Sequence, residues 1–105
     1  MYKKTDLKNK LKHFRDDLNK KFKIDKMIFF GSRTKGRYKK WSDIDLVIVS
    51  KQFKKLKFRK RASKMYDYWN LDYPVDFLCY TPEEFNKLKN RITIVKEAVE
   101  TGIEI

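Results

Sequence analysis

The sequence predicts a single α/β domain over residues 1–105, a small sheet flanked by helices. Two observations predict it. Short apolar runs at Met27–Phe30, Ile44–Ser50 and Tyr73–Tyr80 have the length and composition of strands. They alternate with longer stretches whose apolar residues recur every three or four positions, as on one face of a helix. The resulting order α-β-α-β-α-β-α has a compact α/β sheet as its natural packing solution.

Each element has its own signal. Leu7, Leu11, Phe14, Leu18 and Phe22 recur at helical spacing among Lys, Arg and Asp, which predicts an amphipathic helix over 5–22. Met27–Phe30 reads as a short buried strand. Ile44–Ser50 is apolar on both faces beyond Asp45, so it should be a central strand covered on both sides. Phe58, Ala62, Met65 and Trp69 mark one face of a helix over 52–69. Tyr73–Tyr80 is the next strand, and the β-α-β order makes it parallel to the second, with a right-handed crossover. Thr81-Pro82-Glu83-Glu84 starts a helix: Thr81 as N-cap, Pro82 in the first turn, Glu84 closing a capping box. Phe85, Leu88, Ile92, Val95 and Val99 continue that helical face, with a break near Asn90. Gly102 fits a C-cap and Ile103-Glu104-Ile105 a short edge strand.

Composition narrows the class of partner. Charged residues make up 39% of the chain and the formal net charge is +13, which favours phosphates, nucleic acid or acidic surfaces. The excess is uneven, since Lys51–Lys64 holds eight Lys or Arg and no Asp or Glu. A solvated helix face accounts for such a run as readily as a docking surface does. The one cysteine, Cys79, lies in an apolar stretch, which excludes a disulfide framework or a cysteine-built zinc site and fits a buried thiol. The first residues lack the apolar core of a signal peptide, and no run approaches the roughly 20 apolar residues of a membrane helix. The expected location is cytoplasmic. The lone His13 sits on the polar side of the first helix and offers neither a metal cluster nor a triad.

The segment Gly31-Ser32-Arg33 through Asp43-Ile44-Asp45 carries the chemistry. Asp43 and Asp45, two positions apart at a strand start, point to one face. Like charges held side by side are costly unless a cation sits between them. Asp76 adds a third carboxylate in the middle of the following strand, where aspartate is disfavoured. Hard oxygen ligands of this kind suit Mg²⁺ with substrate phosphates, and two such ions can clamp an in-line phosphoryl displacement. Gly31 permits close backbone approach. Its N–H, with the N–H and hydroxyl of Ser32, can bind phosphate oxygens, and Arg33 heads a basic loop able to neutralise a triphosphate. Each feature alone has a plainer reading, a turn or a strand cap. Trp41 is better read as packing than as a nucleotide contact, and Tyr66, Tyr68 and Trp69 as core or interface than as base-stacking platforms.

Gly-Ser, ten residues, then Asp-x-Asp, with a third Asp on a later strand, resembles the minimal nucleotidyltransferases (MNT) of the DNA polymerase β superfamily. The resemblance is sharpest from Met27 to Tyr80. It implies a mixed sheet of three to four strands, the first two antiparallel and the second and third parallel. It also implies transfer of a nucleoside monophosphate, usually from ATP, with two Mg²⁺ ions as cofactors. Gly31, Ser32 and Arg33 would then bind the nucleotide, and Asp43, Asp45 and Asp76 would be the catalytic metal ligands. The stretch after the Asp76 strand is too short for the extra domains of polymerases, which resembles MNT antitoxins paired with HEPN-domain toxins. Those antitoxins adenylylate a tyrosine of the toxin. The acceptor is not encoded in these residues. Neutralisation by binding alone and nucleotide transfer to RNA are the alternatives, and exposed aromatics with a short sheet edge make a homo-oligomer plausible.

Overall fold

A computed structural model of the chain describes residues 4–31 and 44–105. Helix α1 (Lys4–Asn19) leads into β1 (Lys26–Phe30), and the described chain resumes at β2 (Ile44–Val49). A 3₁₀ segment (Lys51–Lys55) and α2 (Phe58–Tyr66) come next, then β3 (Val75–Tyr80), α3 (Pro82–Leu88), α4 (Ile94–Thr101) and β4 (Ile103–Glu104). The sheet order is β3-β2-β1-β4. Strand β1 pairs antiparallel with β2 and with β4, and β2 pairs parallel with β3. This is the mixed sheet the resemblance implies, with β2 central.

The two faces of the sheet bury different helices. Ile44, Leu46 and Ile48 of β2 share one core with Met27, Phe29, Val75, Phe77 and Cys79, against Leu7, Leu11, Phe14 and Leu18 of α1 and Met65 of α2. Val47 and Val49 share the other with Ile28, Phe30 and Tyr80, against Phe85 of α3 and Val95 and Ala98 of α4. The period-two alternation of strand side chains sorts them this way. It also explains why β2 is apolar past Asp45, because both its faces are roofed.

Several boundaries differ from the sequence-based expectation. The first helix ends at Asn19, whose Oδ1 accepts from the Ile24 N–H at 2.9 Å. Phe22 lies beyond the helix yet still packs on Phe53 and Tyr68. The third strand begins at Val75 rather than Tyr73. The helix expected over 52–69 is two pieces, separated by extended backbone at Leu56 and Lys57. Phe53 and Met65 are both fully buried in one core. On one continuous helix they would stand about 120° apart, so the break lets both face the sheet. Phe58, expected inward, is 58% exposed and leans on Tyr80 instead.

At the C-terminal end the capping box forms as expected, with reciprocal bonds between Thr81 and Glu84. The break near Asn90 separates α3 from α4, and Thr93 caps α4. Ile92 therefore falls outside either helix and is 99% exposed, and Val99 is half exposed while Ala98 takes the inward position. Gly102 ends α4 with φ −84°, so it is not a left-handed cap. Close approach is the reason for glycine: a Cβ there would lie 2.4 Å from the Ala98 carbonyl oxygen and 2.5 Å from Ile28 Cγ2.

The basic run hides one structural residue. Arg61 is only 6% exposed. It donates to the carbonyls of Leu56 (3.2 Å) and Cys79 (3.3 Å) and to Glu84 Oε1 at 2.6 Å. The same Glu84 oxygen accepts from the Thr81 N–H, so one carboxylate joins α2 to the start of α3. Cys79, buried beside this arginine, has its thiol pushed up to about 12 by burial, against the opposing pull of Arg61.

Partial burial raises the Glu84 pKa, but the Thr81 N–H and Arg61 outweigh it and hold the carboxyl below its ordinary 4.5. A depressed carboxylate stabilises the fold above its unfolded value, and that stability is lost as pH falls through the folded one. Glu84→Gln is expected to destabilise by about 1–2 kcal/mol at neutral pH, the low end for a charge-assisted pair because the carboxylate is 41% exposed. The gap between wild type and variant should close as pH falls below 4.5, which denaturant melts across pH will show.

Candidate nucleotidyltransferase site

The parallel register sets Asp45 of β2 directly beside Asp76 of β3. Adjacent strands lie about 4.8 Å apart, and register partners project to the same side. That side is the one carrying Val47, Val49 and Tyr80 further along the strands, where α3 and α4 pack. The two carboxylates stand at the opposite end of it from Val49 and Tyr80. Asp45 is half-buried and Asp76 exposed, so the pair is open to solvent on one side.

Gly31 completes the described part of the site. The β1–β2 register places Phe30 opposite Asp45, and Gly31 follows immediately. Its φ is +99°, a left-handed backbone that glycine adopts without penalty. A Cβ on Gly31 would lie 2.3 Å from Asp45 Oδ2. The missing side chain therefore has two causes: the backbone turns sharply out of β1, and it does so against the Asp45 carboxylate.

Of the residues expected to form the site, Gly31, Asp45 and Asp76 are thus brought together at one corner of the sheet. Ser32, Arg33 and Asp43 lie outside the described residues, as does Trp41. Among the described residues no group of three or more His, Cys, Asp or Glu gathers to hold a metal. Asp45 and Asp76 supply two hard carboxylate donors on rigid, adjacent strands. Two like charges in register fit a divalent cation of the oxygen-seeking kind, which offsets their repulsion.

Sequence reasoning overlooked the role of the residues around Asp76. Trp69 is core, its ring edge-on to Phe14 (4.9 Å) and Phe77 (5.7 Å), and Tyr68 packs edge-on to Phe22. Tyr66 sits edge-on to Phe77 at 4.8 Å, and its hydroxyl donates to the Val75 carbonyl at 2.5 Å. Helical spacing could show that these aromatics share a side, but not that Tyr66 bonds to the strand carrying Asp76 and Trp69 to the residues leading into it.

The "Nucleotidyltransferase domain" family matches residues 11–100, and the chain belongs to that family. It is 34% identical over 77 residues to the "Probable protein adenylyltransferase MntA" of Haemophilus influenzae, covering 71% of this chain and 68% of that protein. A "Putative protein adenylyltransferase" of Methanocaldococcus jannaschii is 33% identical over 67 residues, 62% of this chain and 68% of the relative. A solved structure described as a "putative nucleotidyltransferase" from Sulfolobus solfataricus superposes with a TM-score of 0.61 at 21% identity, over 90% of this chain and 74% of that one. At that identity the likeness shows the fold, and it is the same fold. These relatives agree with the minimal nucleotidyltransferase class that the motif spacing resembles.

Gly31→Ala is expected to place a methyl group inside the space of the Asp45 carboxylate, since the gap is only 2.3 Å. The left-handed φ adds strain of about 1–3 kcal/mol. Denaturant unfolding should show that loss, and nucleotidyl transfer should fall by more than the loss of folded protein accounts for.

Proposed function

We propose that this domain moves AMP from ATP to a hydroxyl of a partner protein, most directly a tyrosine of a HEPN-domain toxin, and so acts as the antitoxin of a pair. The observation that carries the reading is the in-register Asp45–Asp76 pair beside Gly31. The adenylyltransferase descriptions of two relatives support AMP as the transferred group.

In this reading Asp43, Asp45 and Asp76 would hold two Mg²⁺ ions, with Gly31, Ser32 and Arg33 at the triphosphate. Bound there, the ions supply charge neutralisation at the attacking and leaving oxygens. The chain's own residues do the rest. Gly31 keeps its backbone close to the Asp45 carboxylate. Asp45, on the central strand, fixes the α-phosphate side of the site, and Asp76 faces the acceptor. The acceptor oxygen bonds to the α-phosphorus as the bond to the bridging oxygen breaks, and diphosphate leaves. The hydroxyl proton passes to the Asp76 carboxylate or through it to water.

Lys51, Lys54, Lys55, Lys57, Lys60 and Lys64 are all exposed, which supports nucleotide transfer to RNA as the second reading. RNA binding with a steep fall in log affinity against log salt is its signature.

Mass spectrometry of a cognate HEPN protein after incubation with this chain, ATP and Mg²⁺ should show a tyrosine carrying AMP. Asp45→Asn and Asp76→Asn should each lower the rate by about 10²–10⁴-fold while leaving the fold intact. Full neutralisation by both variants without modification would instead establish action by binding alone. AMP appearing on RNA and not on protein would establish the second reading.

A further inference from the structure

Among the described residues β3 is an edge strand, bonded to β2 on one side only. Along such a strand, backbone groups alternate between the paired side and the open side. On the paired side the Pro74 carbonyl accepts from the Ile44 N–H at 2.8 Å and the Tyr80 carbonyl from the Ser50 N–H at 3.1 Å. The carbonyls of Tyr73, Val75 and Cys79 fall on the open side. Each of the three accepts from a side chain of α2 or the turn after it. The Trp69 indole N–H reaches Tyr73 at 3.0 Å, the Tyr66 hydroxyl reaches Val75 at 2.5 Å and Arg61 reaches Cys79 at 3.3 Å. Side chains of α2 and the turn after it thus bond to these three carbonyls of the open edge.

Two of these ties lie beside the site. Asp76 lies between Val75, whose carbonyl Tyr66 holds, and Phe77, whose ring Tyr66 and Trp69 flank edge-on at 4.8 and 5.7 Å. The Phe77 side chain is on the α1/α2 face and Asp76 on the other. Holding the residue before and the ring after leaves the Asp76 backbone little freedom to twist. An edge strand without such ties frays from its first residues, and Asp76 is the second residue of β3.

We propose that Tyr66, seconded by Trp69, is a positioning residue for Asp76: its hydroxyl pins the open edge of β3 so that the Asp76 carboxylate stays in register with Asp45. The proposal rests on the reading of Asp45 and Asp76 as metal ligands. Tyr66 acts through the backbone, and its effect belongs on the chemical step and on metal affinity rather than on ATP binding.

Tyr66→Phe keeps the ring against Phe77 and removes only the hydroxyl, so it separates the tie from the packing. Three quantities decide: the melting temperature, the affinity for Mn²⁺ titrated by electron paramagnetic resonance, and the kcat and KM of nucleotidyl transfer. The expected variant melts cooperatively, within about 4–8 °C of wild type. It binds Mn²⁺ about tenfold more weakly and loses kcat by about tenfold or more, with KM for ATP unchanged. Trp69→Phe, whose tie lies further from Asp76, should show the same pattern at smaller size. It carries the test if Tyr66→Phe fails to fold. Wild-type Mn²⁺ affinity and kcat in the variant overturn the proposal, as does a change confined to KM for ATP. A wild-type protein that binds Mn²⁺ but transfers no nucleotide overturns the proposed function alone, and the titration then decides for Tyr66. A wild-type protein that binds no Mn²⁺ overturns both.

Discussion

The parallel pairing of β2 with β3 is the constraint on which the rest of this structure depends. Its register places Asp45 beside Asp76, Leu46 beside Phe77 and Ile48 beside Cys79. A slip of one residue would turn every β3 side chain to the opposite face. Phe77 and Cys79 would leave the core they share with α1, and Asp76 would enter it. Burying an unpaired carboxylate among Phe14, Met65 and Trp69 is strongly unfavourable. The apolar alternation that builds the core and the carboxylate alignment that builds the candidate site are therefore one and the same specification.

The surroundings reinforce that pairing from three sides. On β1, Gly31 turns away against Asp45 with no side chain between them. On the open edge of β3, α2 and the turn after it bond to carbonyls that no strand reaches among the described residues. Arg61 extends this to α3 through Glu84, whose carboxylate also closes the capping box. An edge strand is usually the soft margin of a sheet and a template for unwanted pairing. Here it carries Asp76, one of the candidate site's two carboxylates among the described residues, and side chains of a neighbouring helix bond to its margin.

Membership in the nucleotidyltransferase domain family gives that acidic corner of the sheet a chemical context. The electrostatic logic is local. The formal net charge of +13 favours anionic ligands in general. The proposed role of the carboxylates is then to gather cations where phosphates must be held and cleaved. Among the described residues, no helix is long and apolar enough to cross a membrane.

The α/β class, the central place of β2, the capping box at Thr81 and the break before α4 were legible in the sequence. All are local: they depend on period-two or period-3.6 patterns and on cap chemistry within a few residues. So was the candidate pair Asp45 and Asp76, because a carboxylate in a strand has few structural reasons to be there. The split of the expected 52–69 helix was not legible, since it answers to where Phe53 and Met65 must meet the sheet. Nor was the burial of Arg61, which is one cation among eight in the run until the Cys79 carbonyl and Glu84 come within reach of it. The same holds for Gly102, whose reason is a neighbouring helix and strand rather than its own backbone angle. The chain's own pattern determined which residues face inward and which carboxylates stand on strands. Only the tertiary structure decided how those strands are held in register, because that work is done by side chains of one element bonding to the backbone of another.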